Sequence, residues 1–191
     1  LPRGIAWQDT NRQRLGIGIG RPCPRLRHRG SKSKHPDGRR LVAASGSVPN
    51  HPRWPLLVYP GVVALAGADP AHAFEELFDR NDWPAAWRNG IYPFHHFHCD
   101  AHEALGVYSG EVTAQFGGDE GIVITARPGD VIVLPAGTGH KKLSSRGTLG
   151  IVGAYPAGQS PDMCTPLIGT LKRHAAAIAR QIKIVNGKPV L

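Results

Sequence analysis

The middle of the chain alternates short apolar runs with turns that are rich in glycine and proline. Apolar runs of this length, bounded by turn residues, are typical of β-strands, and "GGDEG" (117–121) and "RPGD" (127–130) are hairpin-type turns. We predict strands at 55–59, 61–65, 91–98, 103–109, 111–116, 121–127, 131–134 and 148–154. Many short strands at this spacing indicate an all-β sandwich or barrel.

Two segments depart from the strand pattern and predict helices. In "DPAHAFEELFDRN" (69–81) the apolar residues recur at helical spacing. Asp69 as N-cap and Pro70 in the first turn mark its start. The alanine-rich "LIGTLKRHAAAIARQIK" (167–183) predicts a second helix, which belongs to a C-terminal extension at 167–191. We expect the first helix to cover the strands, and the second to pack on the outside or against a second subunit.

The basic character of the chain is confined to its first quarter. The net charge is +9, and residues 1–47 alone hold 11 Lys and Arg against 2 acidic residues, so residues 48–191 sum to zero. The front segment has no apolar periodicity, and we expect a disordered extension. The charge therefore does not indicate nucleic acid as a partner of the folded domain, which we place at 48–166.

The cysteines and the hydropathy indicate a cytoplasmic protein. No apolar run reaches the roughly 18 residues that a membrane-spanning helix needs, so no membrane partner is expected. Cys23, Cys99 and Cys164 are widely spaced and form no CxxC pair. This arrangement favours free thiols in a reducing compartment over a disulfide framework.

The densest chemistry of the chain is "FHHFHCDAHE" (94–103), which holds four histidines and one glutamate. On a strand, alternate side chains share a face, so His96 and His98 point the same way and His95 points the other. Two imidazoles at positions i and i+2 can converge on one metal ion. We therefore interpret His96 and His98 as metal ligands, and His95 as a surface or supporting residue.

Two further ligands are expected from nearby strand ends. Glu103 opens the next predicted strand and can add a carboxylate oxygen to the same ion. His140 follows the glycine turn in "PAGTGH", where the chain returns to the sheet, and is the candidate for the fourth ligand. His102 lies in the turn before Glu103 and is expected to be a surface residue or to support the site without binding the ion.

The spacing of these residues matches two motifs. The first reads G-x5-H-x-H-x4-E-x6-G at 90–110, and the second reads G-x5-P-x-G-x2-H at 129–140. In this order and at this separation they resemble the two conserved motifs of the cupin superfamily, although Ser144 stands where the second motif usually ends in Asn. The resemblance implies an all-β cupin fold, a double-stranded β-helix or jelly-roll barrel with a few peripheral helices.

The resemblance also implies the chemistry of the site. The positions that match the cupin ligands are His96, His98, Glu103 and His140, which would hold one divalent metal ion in the barrel mouth. Three imidazoles and a carboxylate suit Fe(II), Mn(II), Ni(II), Co(II) or Zn(II), and the sequence does not separate these metals. Tyr92 shares the strand face of His96 and is expected to line the barrel.

Residues 48 to about 165 resemble more closely the small, largely uncharacterised bacterial cupins of the YjlB type. This similarity is carried by "PNHPRWPLLVY", "NGIYPFHHFHCDAHEALGVYSG", "PAGTGH" and "GAYPAGQ". It covers neither the basic front segment nor the last 25 residues. The resemblance implies a homodimer.

Two functions follow from these expectations. The first is a metal-dependent enzyme, of the dioxygenase or isomerase type, that acts on a small organic molecule in the barrel. The alternative is a non-catalytic cupin that binds or senses a small ligand or the metal itself. No general acid or base stands apart from the ligands, so the catalytic residues, and whether the protein is an enzyme, are left open by the sequence.

Overall fold

The computed structural model describes residues 38–166, so the predicted helix at 167–183 and residues 1–37 of the predicted extension lie outside the described range. The elements within this range are β1 (Arg39–Arg40), β2 (Leu56–Tyr59), α1 (His72–Asp79), β3 (Ala85–Asn89), β4 (Glu103–Phe116), β5 (Ile122–Ala126), β6 (Val131–Leu134) and β7 (His140–Ala154). The predicted all-β class is confirmed.

One antiparallel sheet organises these strands around β4. Its order is β1-β2-β6-β4-β7-β3, with β5 paired to β4 outside this path. The first part of β4 lies between β6 and β7, and its second part lies between β5 and β7. The predicted strands at 103–109 and 111–116 are thus one long strand. Gly110 joins its two parts with a left-handed φ of 68°, which disfavours any side chain there.

Both faces of the sheet are buried at β2, at β6, at the start of β4 and at the end of β7, which explains why the apolar runs there look continuous and not alternating. On one face a cluster that we name the inner core consists mainly of Leu56, Val58, Leu105, Val107, Phe116, Ile124, Ile132, Leu134 and Ile151. On the other face the outer core consists mainly of Leu57, Phe74, Leu77, Phe78, Trp83, Val131, Val133 and Val152. Successive residues of β2 and β6 enter the two cores in turn, as the period of a strand requires.

The helix α1 covers the outer core. Phe74, Leu77 and Phe78 form its buried stripe. It begins at His72 and has no side-chain cap, so the predicted helix is confirmed but Asp69 as its N-cap is wrong. Pro70 and Ala71 precede the helix, and Asp69 Oδ1 accepts a hydrogen bond from the Ala71 N–H at 3.3 Å.

Two predicted strands are absent from the described residues. Residues 61–65 form no strand, because Gly61 takes a left-handed φ of 59° and turns the chain after β2. Residues 91–98 form only two isolated bridges, His96 with His140 and Phe97 with Cys164. Pro93 lies in this segment and has no N–H to donate to a ladder.

Two ordered segments carry no signal in the sequence. β3 is a mostly exposed edge strand, so it lacks the apolar alternation that predicts a strand. Residues 38–47, assigned to the basic extension by charge, contain β1, which pairs with β2. The Asn50 side chain donates to the carbonyl oxygens of Ala43 and Gly117. The described structure therefore includes paired residues ahead of position 48.

No helix within 38–166 has both the length and the apolar character that crossing a bilayer requires.

The contact between α1 and the sheet yields a stability prediction. A Cβ atom at Gly106 would lie 2.2 Å from Cδ1 of Phe74, whose ring is fully buried. We expect Gly106→Ala to lower the free energy of unfolding by about 1–3 kcal/mol, because the ring has no room to retreat. Chemical denaturation measures this. Gly90→Ala is the control, since its Cβ would meet Leu149 Cδ2 at 3.4 Å, and an equal loss in both variants would contradict the packing argument.

His51 is a buried histidine that must stay neutral. It is 2% exposed, and its Nδ1 accepts hydrogen bonds from the backbone N–H groups of Arg53 at 3.2 Å and Trp54 at 2.8 Å. Burial, together with the nearby imidazole of His102, lowers the pKa of His51 to about 4. Between this value and the ordinary 6.5, the unfolded chain binds more protons at this site than the folded chain does.

This difference predicts a pH dependence of stability. The contribution of His51 is fully present above pH 6.5 and is lost as the pH falls towards 4. On lowering the pH from 7 to 5 we expect the contribution of His51 to the free energy of unfolding to fall by about 2 kcal/mol. His51→Asn keeps an acceptor for the two N–H groups and removes the titration. Urea denaturation at both pH values should show a smaller loss in this variant, and an equal loss would be the opposing result.

Candidate metal centre

Two strand ends bring charged and imidazole side chains to one end of the inner core. Glu103 opens β4 on the same face as Leu105 and Val107. His140 opens β7 and pairs with Phe116 at the far end of β4, and its ring stacks on the Phe116 ring with centroids 6.4 Å apart. Because cross-strand partners share a face, both side chains point inward.

The segment that holds His96 and His98 runs antiparallel to the start of β7. The backbones of His96 and His140 exchange two hydrogen bonds, of 3.2 and 2.9 Å, and the Gly137 N–H donates to the carbonyl oxygen of His98 at 2.7 Å. The ring centroids of His96 and His140 are consequently 4.0 Å apart. The segment is no regular strand, yet His96 and His98 still share a side, as the alternation predicted.

The four predicted ligands meet in one buried group. Ligand nitrogens of His96, His98 and His140 all lie within 4.8 Å of one another. Glu103 Oε2 lies 3.2 Å from Nε2 of His140, and Glu103 Oε1 lies 3.5 Å from Nε2 of His98. All four residues are at most 6% exposed. The structure therefore brings together three imidazoles and one carboxylate from distant parts of the chain.

Backbone carbonyl groups orient the three rings. The Nδ1 atom of His98 hydrogen-bonds to the carbonyl oxygen of Asp162. Nδ1 of His140 lies 3.2 Å from the Thr138 carbonyl oxygen, and Nδ1 of His96 lies 3.4 Å from that of Phe94. With Nδ1 held in this way, the Nε2 atom of each ring is left for the centre, which is the arrangement common to histidine ligands.

A tyrosine and a tryptophan support the carboxylate. The Tyr155 hydroxyl donates to Glu103 Oε1 at 3.0 Å, and Trp87 Nε1–H donates to the Tyr155 oxygen at 2.9 Å. Gly153 makes room for the Trp87 ring, since a Cβ there would lie 2.0 Å from Cε2. Sequence reasoning missed this chain of hydrogen bonds, because no local pattern connects Tyr155 with a residue 52 positions away.

The electrostatics favour an ionised carboxylate beside a neutral His96, whereas at His98 burial is outweighed by the hydrogen bond and charge of Glu103, which raise the pKa of that ring. Burial by itself would raise the pKa of Glu103, but the close approach of His140 and His98 lowers it below the ordinary value. Burial, with the neighbouring His140, lowers the pKa of His96 to about 3. Burial also raises the pKa of Tyr155, as does the charge of Glu103. The Tyr155 hydroxyl thus keeps its proton and remains a donor.

The donor set fits a cation. Glu103 Oε2 is buried and has no hydrogen-bond partner among the described residues. An ionised oxygen in such a place is costly unless a positive charge balances it. Three imidazoles and a carboxylate are the ligands that borderline divalent metals prefer. These four side chains could hold such an ion.

His95 and His102 contact other parts of the protein. His95 Nε2 lies 3.5 Å from Asp119 Oδ1, and the His102 Nδ1 atom accepts a hydrogen bond from the Ala136 N–H at 2.8 Å. Neither belongs to the group of clustered ligand atoms.

Two aromatic side chains lie at the solvent side of the site. Tyr92 and Phe94 stack with centroids 5.1 Å apart, and both rings contact the edge of His96. They are 46% and 47% exposed, so the expectation that Tyr92 lines the barrel interior is corrected. The reason is that residues 91–98 lack the regular strand that would turn this side chain inward.

Comparisons with known proteins give one clear relative. The chain is 41% identical over 120 residues to the uncharacterised protein YjlB of Bacillus subtilis, which covers 63% of this chain and 70% of that protein. No family model matches the chain.

Two solved structures show weak similarity. A point mutant of the Bacillus subtilis oxalate decarboxylase OxdC matches 41% of this chain and 22% of its own, with 16% identity and a TM-score of 0.32. A DUF861 family protein from Thermotoga maritima matches 48% of this chain and 96% of its own, with 19% identity and a TM-score of 0.29.

The hydrogen bonds of Tyr155 yield a prediction for this site. Tyr155→Phe removes the donor to the buried Glu103 and the acceptor for Trp87, so we expect the free energy of unfolding to fall by about 1–3 kcal/mol. Tyr108→Phe is the matched control, because its hydroxyl has no hydrogen-bond partner among the described residues. Denaturation of both variants in chelator measures the difference. Equal stabilities would show that the hydrogen-bond chain contributes nothing.

Proposed function

This chain belongs to the YjlB family of cupins, and from that premise we propose that it holds one divalent metal ion through His96, His98, Glu103 and His140. The observation that carries the proposal is the buried Glu103 carboxylate, whose Oε2 lacks a hydrogen bond among the described residues and lies 3.2 Å from Nε2 of His140. The candidates for the ion are Fe(II), Mn(II), Ni(II), Co(II) and Zn(II).

The leading function is a metal-dependent enzyme that acts on a small organic molecule, by dioxygenase or isomerase chemistry. When bound, the ion supplies Lewis-acid polarisation of a substrate oxygen or, if it is redox-active, reactivity towards dioxygen. The half-exposed rings of Tyr92 and Phe94 contact His96 and provide an apolar surface for the substrate. Tyr155 keeps Glu103 in place by donating to Oε1.

The second candidate function is a non-catalytic module that binds or senses a small ligand or the metal. One observation favours it: the Tyr155 hydroxyl, which lies next to the ligands, is already committed as a donor to Glu103 and as an acceptor from Trp87. A proton that is held in this way is not available for transfer to a substrate.

Four finer expectations belong with this proposal. We propose a domain that spans 48–166 together with the described residues 38–47, a small-molecule ligand in the barrel, and a homodimer. The free thiols of Cys99 and Cys164 support a reducing compartment, and we propose the cytoplasm.

Metal analysis tests the ligand assignment. We expect these four side chains in the full chain, purified without oxygen, to bind one ion tightly, and His96→Ala or His140→Ala to weaken binding at this site by roughly tenfold to a hundredfold or more, because a ligand is lost. His95→Gln is the control, since its imidazole faces Asp119. Equilibrium dialysis with elemental analysis gives the affinities. An unchanged metal affinity in both alanine variants would contradict the proposal.

The coordination number separates the enzyme from the binding module. X-ray absorption of the loaded protein should show five or six ligands for a catalytic ion, since substrate or water must join the four side chains, and four for a closed site. Oxygen uptake with diols, keto acids and thiols then tests turnover. A four-coordinate ion without uptake on this panel would favour the binding module.

A further inference from the structure

A second group of metal-type ligands lies next to the first. The sulfur atoms of Cys99 and Cys164 are 3.6 Å apart, and Cys164 Sγ is 2.9 Å from Oδ2 of Asp162. Ligand atoms of the three residues all lie within 4.8 Å of one another. Sequence reasoning interpreted Cys99 as an isolated thiol, because its partners follow more than 60 positions later.

The backbone holds these side chains in place. Phe97 and Cys164 exchange two backbone hydrogen bonds, of 2.9 and 3.0 Å. The backbone N–H groups of Cys99 and Asp100 both donate to Oδ1 of Asp162, at 2.7 and 3.0 Å. This double contact fixes the carboxylate, so that its other oxygen, Oδ2, faces the sulfur of Cys164. The group is therefore built before any ion arrives.

The sulfur separation fits a metal bridge better than a disulfide. Two thiolates on a tetrahedral Zn(II), with bonds of about 2.3 Å, lie about 3.8 Å apart, close to the 3.6 Å found here. A disulfide requires an approach to about 2.0 Å. Phe97, not Cys99, is the residue that pairs with Cys164. Diagonal neighbours of this kind have Cα atoms about 7–8 Å apart in a regular ladder, at or beyond the usual limit for a disulfide.

We propose that Cys99, Asp162 and Cys164 form a second metal site, which takes a thiophilic divalent cation such as Zn(II). Binding converts two thiols into two metal thiolates and releases two protons, with no change of oxidation state. The two thiolates and the carboxylate carry three negative charges, of which the cation balances two. Asp162 and Cys164 are half-buried, so the ion reaches the site from solvent, and water completes the tetrahedron.

The second site is connected to the first through Asp162. Its backbone carbonyl oxygen is the acceptor for Nδ1 of His98, while its carboxylate belongs to the cysteine group. A cation bound there holds the residue that orients His98. This connection rests on the proposed function of His98, whereas the cysteine site itself does not.

Cadmium binding to the full-length reduced chain tests the site, because cadmium thiolates absorb in the near ultraviolet and imidazole ligands do not give this band. In protein freed of metal by chelator and kept in a phosphine reductant, we expect the band to saturate at one equivalent. Cys99→Ser and Cys164→Ser should abolish it. Cys23→Ser is the matched control and should leave it unchanged.

Two more variants make the test specific. Asp162→Asn keeps Oδ1 for the two backbone N–H groups and removes the anionic ligand, so cadmium affinity should fall by roughly tenfold or more. His96→Ala should keep the sulfur band, which separates failure of this site from failure of the histidine site. If a serine variant does not fold, Asp162→Asn still decides, since unchanged affinity in that variant would contradict the proposal.

Several results would overturn the proposed second metal site. The absence of a saturable band in the reduced wild-type chain would overturn the proposal, as would a band that survives both Cys99→Ser and Cys164→Ser. A disulfide between Cys99 and Cys164 in a chain that gives no band after reduction would assign the pair to redox chemistry instead. Loss of the band in His96→Ala would show that the cysteine and histidine ligands form one site, and this would also overturn the proposal.

Discussion

The rest of the structure depends on one buried charge, the carboxylate of Glu103. At 3% exposure an ionised oxygen has lost most of its hydration, a cost of several kcal/mol that only close partners offset. Tyr155 donates a hydrogen bond to this carboxylate, and the rings of His98 and His140 lie within 3.5 Å of it, where the proposed cation would balance the charge. Tyr155 follows the end of β7, His98 lies in the irregular segment 91–98, and His140 opens β7. Stabilising this carboxylate therefore requires separate parts of the chain to meet.

The two long strands make this meeting possible. β4 and β7 pair along most of their length, so that Glu103 and His140, which open these strands, both face the inner core. The outer face of these strands packs against α1 because Gly106 has no side chain there, and on the inner face Gly153 makes room for the Trp87 ring. The site is therefore held from both sides by the sheet that carries it.

Asp162 gives the site a second layer of support. Its carbonyl group orients His98, and its carboxylate binds the N–H groups that follow His98. Gln159 continues the pattern, since its side-chain oxygen accepts a hydrogen bond from the His102 N–H at 2.9 Å. The end of the described chain thus fastens the loop from His98 to Glu103, which joins the two halves of the first motif.

The sequence by itself determined the all-β class, the strand at 131–134, the helix and the spacing that selected His96, His98, Glu103 and His140. These features are local: they rest on periodicity or on short distances along the chain. Only the tertiary structure decided that residues 91–98 are irregular, that β3 forms, and that Tyr155 and Asp162 support the site. Such contacts join residues more than 50 positions apart, and a fold creates them through backbone geometry that leaves no periodic trace in the sequence.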